Sequence, residues 1–396
     1  MPRYAERVPL AVAEARETPG LLERVATRVT FLVVGLAVAA WAPLIPLVKA
    51  KLGLDEGGLG GLLLCLGLGS VVGMPLAGGL AARFGCRRMI LVSGTVSCIA
   101  LPIMAVAPSA AVLAAALSAF GAGIGCTDVV MNIQAVIVEK ASGRAMMSGF
   151  HGLYSVGGIA GAGAVTGLIA CGLSAPVSAL AIAVLAAVLL VAIAKGLLPY
   201  GGENGSPVFA VPRGRVLLLG ILCFILFLAE GSVLDWSGVL LNVVRGLERS
   251  RAGLAYVAFS ITMTAGRLTG DAIVHALGPK RIIFLGGLCA ASGFVLAALV
   301  PAWPVSVLGF ALVGVGAANV VPVLFSAAGR QQSMPSNLAL AAVTTMGYAG
   351  VLAGPPLIGF VARASSLPVA LVMVAAMLVA VVLSSRRATS NELPDA

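Results

Sequence analysis

The sequence has little charge, few aromatic residues and almost no histidine. Of its 396 residues, 10% are Asp, Glu, Lys or Arg and 5% are aromatic, and histidine occurs only twice. A soluble domain carries about 25% charged residues, so this chain lacks the polar surface that solubility in water requires. The scarcity of charge excludes a soluble enzyme, a nucleic-acid-binding protein and a disordered chain.

The residues that would hold a metal or cofactor are also missing. The seven cysteines form no CxxC pair, and the two histidines, His151 and His275, are isolated. No zinc, haem or iron–sulfur spacing can be built from them. There is also no nucleotide-binding loop and no Ser–His–Asp set. We therefore expect no cofactor, no metal, no enzymatic activity, and cysteines that are reduced and serve as small apolar side chains.

Apolar residues and glycine are abundant instead. Hydrophobic residues make up 60% of the chain, and glycine occurs 50 times. A membrane-spanning helix needs about 20 mainly apolar residues, and small residues let such helices approach closely. The sequence contains twelve such segments, near residues 29–48, 58–81, 89–107, 110–138, 147–170, 175–194, 216–241, 252–276, 282–300, 303–328, 337–362 and 367–385.

The spacing of the segments predicts two halves of six helices each. A polar linker at 195–215 separates an N-terminal bundle, 29–194, from a C-terminal bundle, 216–385. The predicted fold class is an all-α integral membrane protein with twelve transmembrane helices in two homologous six-helix bundles. Residues 1–28 and 386–396 are predicted to be tails, since the first contains no apolar run of the kind a signal peptide requires.

Basic residues predict the orientation. With the N-terminal tail in the cytoplasm, 18 of the 25 Lys and Arg residues fall on the cytoplasmic side. This asymmetry places both termini and the linker in the cytoplasm. The net charge of +10 is then a consequence of topology and gives no reason to expect nucleic acid as a partner.

An internal repeat supports the two halves. The turn at 83–88, RFGCRR, has a counterpart at 276–281, ALGPKR, which places Gly85 and Gly278 at an offset of 193 residues. The same offset relates Gly157 to Gly350 and Gly161 to Gly354. Parallel repeats of this kind form the substrate site between the halves, near the middle of the bilayer.

The turn at 83–88 carries a resemblance to a known family. Residues 78–88 read GGLAARFGCRR, which is similar to the signature between helices 2 and 3 of the major facilitator superfamily. Ala82 stands where that family has an acid, and His275 occupies the corresponding position of the second half. The resemblance implies gating roles for the basic residues Arg83, Arg87 and Arg88.

A narrower resemblance lies in the fourth helix. Residues 123–132, GIGCTDVVMN, are similar to the fucose-permease branch, in which an acid followed four residues later by Asn lies in the transport path. Residues 150–158, 230–237 and 266–271 resemble bacterial members associated with rhizopine, an inositol derivative. The resemblance implies a bacterial inner-membrane location.

Asp128 is the first candidate for proton coupling. A charged side chain inside a span costs about 2.5–3.5 kcal/mol on insertion scales and therefore tends to face a cavity. Asp128 lies about 15 Å from the cytoplasmic end of its helix, and Asn132 falls about 40° from it around the helix axis. We expect both to line the substrate cavity. Glu139 shares this face, but Lys140 and Arg144 follow it, which favours a surface ion pair.

The second half carries further charged candidates. Glu230 is a second candidate for proton coupling and substrate binding, whereas Asp235 beside Trp236 is expected to belong to an outer gate. Arg267 and Asp271 lie four residues apart on one helix and are predicted to form an ion pair with a gating role.

Four more residues are candidate walls of the substrate site. These candidates are aromatic and amide side chains within the predicted spans, namely Trp41, Tyr154, Asn319 and Tyr348.

These observations predict a secondary transporter. The chain has no ATPase domain, so an ion gradient or facilitated diffusion must supply the energy. We expect a proton-coupled transporter of a small polar solute, with a sugar or polyol as a candidate, that functions as a monomer in the lipid bilayer. A proton-driven drug or metabolite exporter is the main alternative, and a transport-silent sensor a remote one.

Overall fold

The computed structural model describes residues 19–202, 210–248 and 251–389, and within these ranges every regular element is helical. Residues 1–18, 203–209 and 390–396, which belong to the predicted tails and linker, lie outside the described residues. The N-terminal half contains the helices α1 Leu21–Ala40, α2 Ile45–Leu52, α3 Glu56–Val106, α4 Ala110–Ser142, α5 Met147–Ala170 and α6 Ala175–Ala192.

Helices and spans do not correspond one to one in this half: α1 and α2 share one span, whereas α3 supplies two. A 3-10 turn at Ala42–Leu44, which contains Pro43, separates α1 from α2, because proline cannot donate the backbone hydrogen bond that a continuous helix needs. Helix α3 has 51 residues and a non-helical residue inside it, Gly85. At 1.5 Å per residue it is about 76 Å long, more than twice the thickness of a hydrocarbon core, so α3 supplies two spans.

The C-terminal half repeats this plan. Its helices are α7 Gly214–Val239, α8 Leu254–Leu277, α9 Pro279–Leu299, α10 Trp303–Ala317, α11 Val320–Arg330, α12 Ser336–Ala364 and α13 Leu367–Thr389. A π-helical turn, Leu240–Val244, extends α7. Helices α10 and α11 are the two parts of one span, interrupted at residues 318–319. The twelve-span fold in two six-helix bundles is therefore confirmed.

The ends of the bundles differ from the predicted boundaries. Helix α1 begins at Leu21, inside the segment assigned to a tail, because the Glu23 side chain accepts a hydrogen bond from the Gly20 N–H at 2.7 Å and so satisfies the helix start. At the other end α13 continues to Thr389, beyond the predicted end at 385.

The repeat extends to the backbone conformation. Gly85 has φ 81° and ψ 157°, and Gly278 has φ 76° and ψ 158°. Both adopt a conformation that side-chain-bearing residues avoid. Gly157 lies against a backbone oxygen of α1, and Gly350 lies in the same way against one of α7. The same close approach therefore joins the first and fifth span of each half.

Hydropathy agrees with a membrane protein. Among the described residues, ten helices are long and apolar enough to cross a bilayer, and α3 is long enough to do so twice. Helix α8, with Arg267 and Asp271, is not among the ten, although its 24 residues suffice in length. The halves meet mainly where α3 packs on α12 and α5 on α8. We call the face that carries the Gly85 and Gly278 turns and the linker the linker face.

Candidate functional site

An ion pair joins two helices of the second half beside the interface. Arg267 of α8 lies with an Nη atom 3.3 Å from one carboxylate oxygen of Glu230 on α7 and 3.4 Å from the other. Its second Nη atom donates to Ser155 Oγ of α5 at 3.2 Å. The side chains of Arg267 and Glu230 are 10% and 18% exposed, so the pair is largely shielded from solvent. The contact with Ser155 links this pair to the first half.

The predicted ion pair between Arg267 and Asp271 is wrong. Asp271 accepts a hydrogen bond from the backbone N–H of Gly149 at 3.0 Å, near the start of α5. A free N–H at a helix start carries partial positive charge and stabilises a carboxylate. Helical spacing brings the two α8 side chains within reach of each other. In the structure, however, Arg267 pairs with Glu230 of α7, and Asp271 accepts its hydrogen bond from Gly149 of α5.

Asp128 and Asn132 are buried on α4. The Asn132 side-chain amide donates to the backbone oxygen of Asp128 at 2.8 Å, while its own Oδ1 is buried and has no partner among the described residues. In the part of the chain that the structure describes, the Asp128 carboxylate has no hydrogen bond or ion pair. A carboxylate without a counter-charge, next to an unsatisfied amide oxygen, is a site that a proton or a polar ligand would complete.

Two tyrosines connect the acid of the first half to the ion pair of the second. Tyr154 of α5 interacts electrostatically with Asp128, Arg267 and Glu230, and Tyr348 of α12 interacts with Asp128 and Tyr154. Both tyrosines are half-buried. Five of the predicted site residues thus come together from α4, α5, α7, α8 and α12. We call these five residues the central cluster, which consists of Asp128, Tyr154, Glu230, Arg267 and Tyr348.

The other predicted wall residues lie elsewhere. Trp41 is buried at the end of α1, and within the described ranges its indole N–H has no acceptor. Asn319 lies at the interruption between α10 and α11 and donates to the backbone oxygen of Gly266 at 3.0 Å. In the described ranges no hydrogen bond joins either residue to the central cluster, and their role as wall residues stays a prediction. Asp235 is exposed on α7, and its gating role is likewise untested.

The basic turn of α3 binds the linker. Arg87 donates from Nε to the backbone oxygen of Leu197 and from Nη2 to that of Lys195, both at 2.9 Å. Arg83 lies over the Phe84 ring at 5.2 Å, and both Arg83 and Arg88 are exposed. Arg87 therefore anchors the start of the linker to the first half, and the gating role of the three arginines stays a prediction.

A polar contact between the halves lies close to Ala82, the residue that stands where the similar family has an acid. The Asn337 side chain, at the start of α12, donates to the backbone oxygen of Gly78 at 2.9 Å. Gly202 of the linker is close enough that an added Cβ would meet both Asn337 and Ala82. A neutral amide and tight packing hold α3 against α12 here.

A second ion pair lies on the linker face, and unlike the first it joins the two halves. Sequence reasoning missed this pair. Glu139 of α4 accepts from Arg330 of α11 at 2.7 Å and from the backbone N–H groups of Met146 and Met147 at 2.9 Å each. Lys140 donates to the backbone oxygen of Gly329. The expected surface pairing of Glu139 with its neighbours Lys140 and Arg144 is therefore wrong. The two partners are separated by 191 residues, so no local pattern could reveal the pair.

Aromatic rings add an apolar layer near this ion pair. The His151 ring of α5 lies 5.1 Å from the Phe31 ring of α1 and 5.7 Å from the Phe325 ring of α11. Phe31 also stacks on Phe150 at 5.7 Å. All four rings are buried. Because Phe325 belongs to the second half, this layer and the polar contacts hold the halves together on the linker face.

Comparison with known proteins identifies the family. Residues 29–336 match the Major Facilitator Superfamily. The chain is 53% identical over 372 residues to an uncharacterised MFS-type transporter of Yersinia pestis, covering 94% of this chain and 97% of that protein. It is 34% identical over 361 residues to the membrane protein MosC of Rhizobium meliloti, covering 90% and 87%.

Solved structures agree on the fold. The fucose:proton symporter FucP of E. coli superposes with a TM-score of 0.77 at 14% identity, covering 93% of this chain and 99% of that one. The proton:xylose symporter XylE gives 0.73 at 12% identity, covering 92% and 95%. The human organic anion transporter MFSD10 gives 0.72 at 14% identity, covering 92% and 99%.

These matches confirm the resemblance read from α3 and α4, and they account for a membrane chain without enzymatic motifs. The protein belongs to the major facilitator superfamily and is a multi-pass membrane transporter of small molecules.

Proposed function

We propose that the protein is a proton-coupled symporter of small polar organic solutes, with sugars and polyols as the substrate class. The observation that carries this proposal is the central cluster. It brings a carboxylate of the first half for which the described residues supply no counter-charge, Asp128, close to an ion pair within the second half, Glu230–Arg267.

Asp128 is the proposed proton site. The charge of Glu230 is balanced by Arg267, so proton binding there would break an existing ion pair. Asp128 is buried, and a bare carboxylate in such surroundings is stabilised by protonation. A site that gains from a proton in one conformation and releases it where water enters can couple proton movement to transport.

The charge of the central cluster favours a neutral solute. One Arg and two carboxylates leave a net charge of −1 when Asp128 is ionised and zero when it is protonated. Arg267 is occupied by Glu230, so an organic anion would find no free cation in the cluster. The two tyrosine hydroxyls and the unpartnered Asn132 oxygen suit a ligand with several hydroxyl groups. FucP, a fucose:proton symporter, and XylE, a proton:xylose symporter, have the same fold.

The proposed cycle is alternating access by rocking of one half against the other. The conformation described here is held together on the linker face by Glu139–Arg330, Asn337–Gly78 and Asp271–Gly149. Opening on this face would break these contacts, while the pairing of α1 with α5 inside the first half stays intact.

A transport experiment tests the coupling. Purified protein in proteoliposomes is given L-fucose, D-xylose or myo-inositol under an imposed pH gradient, and solute accumulation and proton uptake are measured. Asp128→Asn should abolish accumulation driven by the gradient while equilibrium binding of the solute persists. Glu248→Gln, which changes an exposed acid in the loop before α8, outside every proposed site, is the control and should transport as wild type does. Wild-type accumulation by Asp128→Asn would refute the assignment and make Glu230 the next candidate.

We further propose that the linker face is cytoplasmic, since the predicted topology puts 18 of the 25 basic residues on this side. We also propose that the membrane is a bacterial inner membrane, because the relatives from Yersinia pestis and Rhizobium meliloti are bacterial. Cys171 follows the end of α5, at the opposite face, and is exposed. In a variant that keeps only this cysteine, a membrane-impermeant maleimide should label intact cells. The same background with Cys171 replaced and Arg213→Cys in the linker should label only after the membrane is opened. Labelling of position 213 in intact cells would reverse the orientation.

A further inference from the structure

The linker face contains a cavity that is separate from the central cluster. It has a volume of about 460 Å³, within the range of about 300–1,000 Å³ usual for small-molecule sites. The first half contributes the end of α4, the loop that follows it and the start of α5. The second half contributes the start of α7, the α8–α9 turn, α11 and the end of α13.

The charge in this cavity is strongly unbalanced. Four cations line it, namely Lys140, Arg144, Arg215 and Arg330, and the carboxylate among the lining residues is that of Glu139. Both carboxylate oxygens of Glu139 already have hydrogen-bond partners, because one accepts from Arg330 and the other accepts from two backbone N–H groups. Its charge therefore compensates that of Arg330, and among the described lining residues no carboxylate remains for the other three cations.

Neutral partners hold two of these three cations in place. Lys140 donates to the backbone oxygen of Gly329, and Arg215 donates from Nη2 to that of Ala388 at 2.9 Å. The Nε of Arg215 is buried and has no acceptor in the part of the chain that the structure describes. Arg144 and Lys140 are exposed where they line the cavity and are open to a ligand.

We propose that this cavity binds a phosphate group and that its occupant bridges the two halves on the linker face. A phosphate offers several acceptor oxygens and up to two negative charges, which match the three cations that line the cavity. Lys140 and Arg144 belong to the first half, and Arg215 to the second. An occupant that binds all three favours the conformation in which the linker face is closed.

The phosphate can come from a soluble phosphate ester or from a lipid headgroup, since both present the same chemistry. Thermal unfolding of the purified protein in an uncharged detergent separates them. The soluble probes are sodium phosphate and pyrophosphate against sodium chloride at matched ionic strength. The lipid probe is dihexanoyl phosphatidic acid against dihexanoyl phosphatidylcholine. A ligand that binds the folded state raises its melting temperature.

Arg144→Gln should weaken the apparent affinity about tenfold, the size of one charge-assisted hydrogen bond. Arg215→Gln should act in the same direction, and if it fails to fold, the exposed Arg144 still provides the test. Arg88→Gln removes an exposed cation from the same face outside the cavity and should leave the affinity unchanged.

Stabilisation by the soluble probes assigns a free phosphate ester, and stabilisation by phosphatidic acid alone assigns a lipid headgroup; both results support the site. Stabilisation by none of the probes beyond its control overturns the proposal. An equal loss of affinity in Arg88→Gln also overturns it, because the effect would then reflect the general charge of this face.

Discussion

The pairing of Arg267 allows a quantitative test. At 3.3 Å from Glu230, the Coulomb attraction is about 5 kcal/mol with an effective dielectric constant near 20. Desolvation of both groups offsets part of this, and removal of one partner from a buried pair costs about 3–5 kcal/mol because a bare charge remains. We therefore expect Arg267→Gln and Glu230→Gln each to lower the free energy of unfolding by about 3 kcal/mol. The double variant should lose about 4 kcal/mol, which is less than the sum of the two single losses by a coupling energy of about 2 kcal/mol.

The measurement is a double-mutant cycle on purified protein, unfolded by sodium dodecyl sulfate in mixed micelles. A second cycle with Arg267→Gln and Asp271→Asn is the matched control and should give less than about 0.5 kcal/mol, because Asp271 bonds to Gly149. Polar contacts within membranes average only about 0.6 kcal/mol in such cycles. A coupling of that size between Arg267 and Glu230, or a larger one with Asp271, would refute the pairing.

Three further predictions concern stability and can be measured by thermal unfolding of purified variants. Gly85→Ala should lower the melting temperature more than Gly278→Ala. Both positions have positive φ, which costs about 1–3 kcal/mol, but only at Gly85 would the new methyl also meet the linker backbone. Gly157→Ala should be strongly destabilising, since its Cβ would overlap a carbonyl oxygen of α1, whereas Gly163→Ala, with open space around it, should be neutral or slightly stabilising. Glu139→Gln should cost about 2 kcal/mol through loss of the ion pair with the second half, and an unchanged melting temperature would argue against that pair.

The repeat was predictable because it rests on local chemistry. A glycine with positive φ and a close helix crossing each require a missing side chain, and glycine spacing is visible in the sequence. The offset that relates Gly85 to Gly278 predicted two homologous halves, and in the structure both glycines adopt the same positive-φ conformation. Helix ends were less predictable, as at Leu21, where a single side-chain hydrogen bond starts α1 early.

The central cluster was predictable in membership but not in pairing. Asp128, Glu230 and Arg267 are charged residues inside apolar spans, and such residues are costly enough to indicate a functional site. Their partners depend on how distant helices pack, and helical spacing alone favoured Asp271 for Arg267. The ion pair between Glu139 and Arg330 was missed for the same reason, since its partners are far apart in the chain and meet only when both halves are assembled.

The layer formed by Phe31, Phe150, His151 and Phe325 has a thermodynamic consequence. Opening the linker face must separate Phe325 from rings of the first half and expose apolar surface to water. Hydration of apolar surface raises the heat capacity, so this opening carries a positive heat-capacity change. The enthalpy difference between the closed and open conformations must then vary with temperature. A van't Hoff plot of their equilibrium should curve, and its curvature should decrease in Phe325→Ala, which leaves less ring surface to hydrate.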